Sequence, residues 1–378
     1  MWLKNIQIVN FRNFSRLSLE FSPHINFFEG ENSQGKTNLI EAIYCLGRGI
    51  SFRTFREERL IKWEEEGFYL EGEGERNGNL FRYEVSLRRG SKKVRKVNSH
   101  PVPLKNSRYW LWMVLFSVQD NKIIQGAPSY RREFLDEVVS FLYPGFSYKK
   151  FSFDRVLIQR NILLKEMKEK GNFLKKKIEG WDFQFLKLGS EIVYLRLEVL
   201  KKLLSCLLEI YPRMKGKPCS PCLIYNSSFL EEGDTLLSFD EIKNKFSNKI
   251  KEARKKEMEV GTSLVGPHRD DFCLKVDGVD QRVFGSQGDQ KTAAIALRLA
   301  EVELLKRKEN EVPIILLDDV PSELDFKRTN FLLKLLKEKG QIFLATQSSR
   351  EFDREFLQNG SFFYIREGKV SYAAKKRK

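Results

Sequence analysis

Polar and apolar residues alternate in three early segments, Leu3 to Phe11, Leu17 to Phe21 and Ile25 to Glu29, with Asn13, Ser15 and Pro23 between them. A period of two predicts strands. After a glycine-containing loop the period lengthens, and Leu39, Ile40, Ala42, Ile43 and Leu46 fall at helical spacing within Asn38 to Leu46. The order is strand, loop, helix. From Phe68 to Leu115, breaks at Gly72, Gly74, Gly78 and Gly90 between β-type residues predict antiparallel hairpins. Between about Arg131 and Lys256 the pattern is helical. Phe185, Leu188, Ile192, Leu195, Val199, Leu203 and Leu207 line one face of a helix over residues 181–212, roughly 48 Å long at 1.5 Å per residue. Gly171, Asn172 and Gly180 separate it from a helix at about 147–170, and the pair reads either as a short arm or as a packed helical subdomain. Beyond Gly261 the two periods alternate again: strand Asp271 to Val276, helix Gln290 to Lys306, strand Pro313 to Leu317, helix Lys327 to Lys337 and strand Gln341 to Ala345.

This order predicts an α/β domain built from both ends of the chain around a helical insertion. The boundaries fall at residues 1–115 and 261–378 for the α/β lobe and 116–260 for the insertion. A length of 378 residues leaves room for both cores. The longest apolar run, Trp110 to Phe116, is far short of the roughly 20 residues that span a bilayer. The mixed polar and apolar start, Met1 to Phe14, does not read as a signal peptide. Five cysteines are too few for a disulfide scaffold, so the expected location is the reducing cytoplasm. Cys219 and Cys222 form one CxxC without the further ligands that a structural zinc needs.

The 67 Lys and Arg against 51 Asp and Glu leave a net charge of +16, which calls for an anionic partner, nucleic acid or membrane surface. The excess sits in discrete segments. Residues 82–96 carry seven positive and one negative side chains, 149–179 ten and four, 241–257 seven and three, and Lys375, Lys376, Arg377 and Lys378 close the chain. Each alone reads as a solvated face; four together favour a nucleic-acid footprint.

Gly30, Gly35, Lys36 and Thr37 match G-x-x-x-x-G-K-[ST] between a predicted strand and a predicted helix, the context that this phosphate loop requires. Its backbone N–H groups can cradle phosphates, Lys36 can neutralise the β/γ charge, and the Thr37 hydroxyl can bind Mg2+. The apolar run Ile314 to Leu317 ends in Asp318 and Asp319. A buried parallel strand would bring those carboxylates out at the ligand-binding edge. Asp318 would then hold Mg2+ through water and Asp319 would orient or deprotonate an attacking water. Ser286-Gln287-Gly288-Asp289-Gln290-Lys291 opens an Ala/Leu-rich helix; it serves as a helix cap or as a phosphate contact.

Taken in order, the loop Gly30-Glu31-Asn32-Ser33-Gln34-Gly35-Lys36-Thr37 followed by Asn38-Leu39-Ile40-Glu41-Ala42-Ile43, the segment Ser286-Gln287-Gly288 and the run Asp318-Asp319-Val320-Pro321-Ser322-Glu323-Leu324-Asp325 resemble the bacterial RecF family. Asn10-Phe11-Arg12-Asn13-Phe14, Pro128 with Arg131-Arg132-Glu133-Phe134-Leu135-Asp136, and Gly266-Pro267-His268-Arg269-Asp270-Asp271 extend the resemblance over nearly the whole chain. These are DNA gap-repair and replication-recovery proteins of the damage (SOS) response, related to the ATPase heads of SMC proteins and ABC transporters. The resemblance implies an α/β, ABC-type (SMC-like) P-loop ATPase head with an inserted, mainly helical second domain. It implies ATP and Mg2+ as cofactors, an ATP-dependent homodimer in which Ser286 completes the other protomer's site, and recombination mediator proteins as partners on double-stranded and gapped or single-stranded DNA. Arg12 and loop residues 30–37 would contact nucleotide, Gln119 in Phe116-Ser117-Val118-Gln119-Asp120 would contact metal or water, and Asp325 would lie near the dimer seam.

The chain departs from the family pattern at several positions. Asp289 and Lys291 stand where Gln and Arg are usual, Ser33 where Gly or Ala is usual, and Val118-Gln119 where Pro-Glu is usual. A carboxylate at position 289 repels a γ-phosphate unless it points away. The expected activity is slow, DNA-stimulated ATP hydrolysis. Competing readings are a structural DNA-binding protein with a weak or vestigial nucleotide site, a small-molecule P-loop kinase, and a transporter ATPase subunit. The last expects a short gap between phosphate loop and signature, against about 250 residues between Lys36 and Ser286.

Overall fold

The computed structural model describes residues 1–103, 111–170, 175–231, 237–319, 326–337, 340–349 and 352–373. It divides the chain into two units, Met1–Asp120 with Glu301–Lys378, and Asn121–Ala300. In the first unit the alternating segments become strands Asn5–Phe11, Phe14–Glu20 and Ile25–Glu29. The first two pair with one another, and Asn5–Phe11 also pairs with Gly67–Arg76, which folds back on Asn79–Arg88 and then Val94–Val97 in an antiparallel sheet. Ile25–Glu29 instead enters a second sheet, ordered Lys369–Ala373, Gly360–Arg366, Ile25–Glu29, Ile342–Thr346, Ile314–Asp318, Met113–Ser117, parallel except at the Lys369–Ala373 edge. Every residue of Ile314–Asp318 and Ile342–Thr346 is buried, and this two-sided burial is why both read as unbroken apolar runs. The helix Lys36–Arg48 packs against strands of both sheets, and Leu39, Ile40, Ala42 and Ile43 are fully buried in the shared core.

Met113–Ser117 differs from the hairpin reading of residues 68–115, because it pairs in parallel with Ile314–Asp318. Its partner lies some two hundred residues away, beyond the reach of a local pattern. The unit therefore extends to Asp120 rather than ending at 115.

The second unit holds helices Pro128–Leu142, Phe146–Lys170, Lys175–Lys215 and Phe239–Val260 with a small sheet of Pro221–Asn226, Asp271–Val276 and Val279–Asp280. Gly180 does not end the long helix but lies inside it; one glycine costs a helix only about 1 kcal/mol, and Ile178 and Phe185 on either side are buried. At 41 residues that helix is roughly 60 Å long. Gly171 and Asn172 lie outside the described residues. The helical pair packs with the helix Phe239–Val260, which opens on a capping box between Ser238 and Glu241 and closes on Gly261. Residues 261–300 stay with this unit rather than joining the α/β lobe at 261, because Asp271–Val276 pairs with Pro221–Asn226 across its full length. The helix Gln287–Glu309 carries the chain back into the first unit. Among the described residues no helix is long and apolar enough to cross a membrane.

Candidate functional site

In the first unit the loop after Ile25–Glu29 is shaped by its glycines. A Cβ on Gly30 would meet the Ile365 carbonyl oxygen at 2.4 Å, and Gly35 has φ +117° with the Asn13 amide against it, so neither position admits a side chain without displacing its neighbours. Asn13 donates to the Gln34 carbonyl (3.3 Å) and accepts from the Asn38 amide (2.8 Å). The Gln34 side chain accepts from the Glu367 N–H (2.7 Å). The loop is thus braced from two sides, and Glu31, Asn32 and Ser33 at its crest are exposed. Lys36 starts the helix and is buried. Its ammonium donates to the carbonyls of Gly30 (2.6 Å) and Glu31 (2.8 Å). Burial lowers its pKa, while Asp319 and Asp318 pull it back up.

Across the unit, Thr37 Oγ1 donates to Asp318 Oδ1 at 2.9 Å. The hydroxyl from the loop and the carboxylate from the strand end therefore meet, although 281 positions separate them. Burial pushes the Asp318 carboxyl up to about 6; the Thr37 hydrogen bond opposes that rise and the charge of Asp319 adds to it. A hydroxyl and a carboxylate are hard oxygen ligands. Mg2+ is commonly held by one or two such groups together with substrate phosphates, so the pair fits that ion, and a cation would relieve the buried charge. An acid whose folded-state pKa exceeds its unfolded value of about 3.9 stabilises the fold while protonated, and this contribution is lost as pH rises through about 6. Asp318→Asn is accordingly expected to raise the thermal midpoint of the nucleotide-free protein by a few degrees at pH 8, with the gain vanishing toward pH 4. Equal melts at pH 8 would count against burial as the cause.

Asp319 follows at φ +54°, half-buried beside Lys36. Gln119 is exposed in the turn Val118–Asp120, just past Ser117, which is in register with Asp318. Loop, Thr37, Asp318, Asp319 and the Gln119 turn thus share the C-terminal edge of the parallel sheet. Arg12 is engaged elsewhere. Its guanidinium donates to both Glu41 carboxylate oxygens (2.8 and 2.7 Å) and to the Arg59 carbonyl (2.9 Å). Glu41, on the helix Lys36–Arg48 and fully buried, also accepts from Ser51 (2.5 Å) and Arg53 (3.3 Å). No local pattern singles out Glu41 or Arg53; the one signal is that Glu41 rides on the helix that follows the motif. Ser286 belongs to the second unit, where its Oγ accepts from the Asp289 N–H (3.2 Å) at the start of Gln287–Glu309. Asp325 and the terminal basic cluster Lys375, Lys376, Arg377 and Lys378 lie outside the described residues. All five cysteines are free, and among the described residues no three His, Cys, Asp or Glu side chains converge as a metal cluster.

The basic segments shrink once folded. In 82–96, Arg95 is buried and donates to the Gly47 carbonyl (2.6 Å), Lys93 pairs with Glu57, Arg82 with Glu71 (2.8 Å) and Lys96 with Glu84 (3.9 Å). Arg88, Arg89 and Lys92 at the hairpin tip are exposed. In the second unit Arg160 is buried against Asp182 and Glu257, Arg254 pairs with Asp182, and Lys149 with Glu191. Acids from outside each segment account for most of this loss.

Comparison with known proteins finds relatives over nearly the whole chain. The RecF/RecN/SMC N-terminal domain family matches residues 2–363. The DNA replication and repair protein RecF of Natranaerobius thermophilus is 37% identical over 361 residues, 93% of each chain. That of Acetivibrio thermocellus is 36% identical over 97% of this chain and 98% of its own. The structure of the recombination mediator protein RecF-ATPrS in the RecFOR pathway superposes with a TM-score of 0.89 at 32% identity, covering 99% of this chain and 98% of that one. The Smc head domain of Pyrococcus furiosus shares the fold, with a TM-score of 0.54 at 16% identity.

Proposed function

The chain belongs to the RecF family of ABC-type, SMC-like ATPase heads, and from that premise we propose that it is an ATP-binding DNA-repair protein that dimerises with ATP on DNA at gaps. The observation that carries this reading is the meeting of Thr37 and Asp318 beside the glycine loop. The N–H groups at the start of Lys36–Arg48 and the crest of the loop bind the phosphates. Lys36 exchanges the carbonyls of Gly30 and Glu31 for β/γ oxygens. Thr37 and Asp318 would hold Mg2+, which would screen the phosphate charge. Asp319 and Gln119 position an attacking water, which gives slow turnover that releases the dimer. Ser286 serves the partner protomer's nucleotide. Recombination mediator proteins receive the DNA-bound dimer, and the cytoplasm is its place of action. If DNA accelerates ATP turnover, the switch holds; turnover indifferent to DNA favours a structural DNA binder with a vestigial site.

The exposed hairpin tip is the DNA contact within residues 82–96. Replacing Arg88, Arg89 and Lys92 together by Glu is expected to lower DNA affinity about tenfold or more. It should also flatten the dependence of log affinity on log salt by about one for each phosphate that is no longer neutralised. Fluorescence anisotropy with gapped DNA at several salt concentrations measures both; an unchanged slope places the DNA-binding surface elsewhere.

A further inference from the structure

Asp289 occupies the third position of the helix Gln287–Glu309, one turn from Ser286. The segment's neutral polar character is broken there by a carboxylate, and its partner comes from a remote part of the same unit. Lys215, the last residue of the long helix Lys175–Lys215, forms an ion pair with Asp289. The lysine is the less exposed of the two, at 18% against 31%, and Gly216 at φ +66° ends the helix immediately after it. The start of the signature helix is anchored separately. Gln290, buried, donates to the carbonyls of Gln281 (3.1 Å) and Arg282 (3.2 Å) and accepts from Gln125 (2.6 Å). The helix start therefore does not rely on the tie between Asp289 and Lys215. The Asp289 carboxylate is held ionised first by Lys215, with the Ser286 hydroxyl and backbone adding to the effect. Lys215 pairs with the carboxylate while the Ser286 hydroxyl oxygen accepts from the Asp289 N–H.

We propose that Lys215 is a positioning residue for nucleotide-driven dimerisation: by pairing with Asp289 it neutralises the carboxylate one turn from Ser286, so that a phosphate of the partner protomer's ATP can approach the serine. This rests on the functional reading above and deepens it. Without Lys215, Asp289 would present an uncompensated negative charge to a polyanion beside Ser286. With the carboxylate gone, Lys215 would have nothing to neutralise and its loss would matter little.

The test uses the full chain with Lys215→Ala, Asp289→Gln and both together. Light scattering across an ATP titration with Mg2+ reads dimerisation, and thermal melts without nucleotide read structure. The ATP concentration for half-maximal dimerisation is expected to rise about tenfold or more for Lys215→Ala and to return close to the parent's in the double variant, whatever the melts show. A double variant as impaired as Lys215→Ala overturns the proposal, since the lysine then acts by itself or as a helix end. Dimerisation by Lys215→Ala equal to that of the parent overturns it as well. If the parent chain itself stays monomeric with ATP, the functional reading fails and this proposal falls with it; the other two outcomes leave that reading standing.

Discussion

Lys36→Ala is expected to weaken ATP binding by about two orders of magnitude and to abolish both ATP-dependent dimerisation and retention on DNA. The lysine is 4% exposed, and its charge faces Asp319 and Asp318. Removing it leaves two carboxylates beside the place where a triphosphate must sit. A hydrogen bond to a charged group contributes about 1.5–3 kcal/mol, and the upper half of that range corresponds to the loss stated. Stability should not fall in step, because burial already disfavours the charged form of this side chain. Lys36→Arg is not expected to rescue binding, since a larger planar fork cannot take the place of a compact ammonium at this buried position beside the loop. Titration with a fluorescent ATP analogue, light scattering and filter retention of gapped DNA measure the three effects. Dimerisation and DNA retention that survive Lys36→Ala would sink the nucleotide switch.

Arg196→Ala is expected to destabilise the second unit by about 3–5 kcal/mol. Arg196 is fully buried and donates to both Asp136 oxygens (2.8 and 2.9 Å), to the Pro267 carbonyl (2.7 Å) and to the Tyr225 hydroxyl (3.4 Å). Tyr225 in turn donates to Asp270 (2.9 Å), whose carboxyl burial pushes upward. Truncating the arginine leaves the half-buried Asp136 without its partner and removes the tie between three segments. In thermal melts the unfolding midpoint is expected to fall by about 10 °C, with hydrogen exchange accelerated in residues 128–142 and 264–276. A shift of one or two degrees would show that the network is not structurally coupled.

That network also explains two sequence segments whose chemistry was not readable locally. Arg131 to Asp136 and Gly266 to Asp271 carry much of the family resemblance, and they are tied to one another. Arg131 donates to both Asp271 oxygens (2.6 and 2.9 Å), Arg132 to the Asp270 carbonyl (2.9 Å), and Asp136 accepts from Arg196. His268 packs against Phe153 and Phe185 at 6.1 Å from each ring, and burial lowers its pKa to about 4. It is neutral at pH 7 and belongs to the packing of the helical unit. The phosphate loop was legible because its chemistry is local: glycines, a lysine and a threonine within eight positions, flanked by a change of period. Arg12 was less so, since its partner Glu41 is set by a helix packing under a strand.

The sequence by itself determined the phosphate loop, the acid-tipped strand, the identity of most helices and strands, and the family, since each rests on spacing along the chain. Only the tertiary structure decided what required distant segments to meet. It joined Thr37 to Asp318, moved Met113–Ser117 into the parallel sheet, and kept residues 261–300 with the helical unit. It also paired part of the clustered positive charge with acids from elsewhere, and it set Lys215 against Asp289. The physical reason is the same throughout. Periodicity reports which face of an element is buried, whereas ion pairs, strand order and burial energies depend on which other element covers that face.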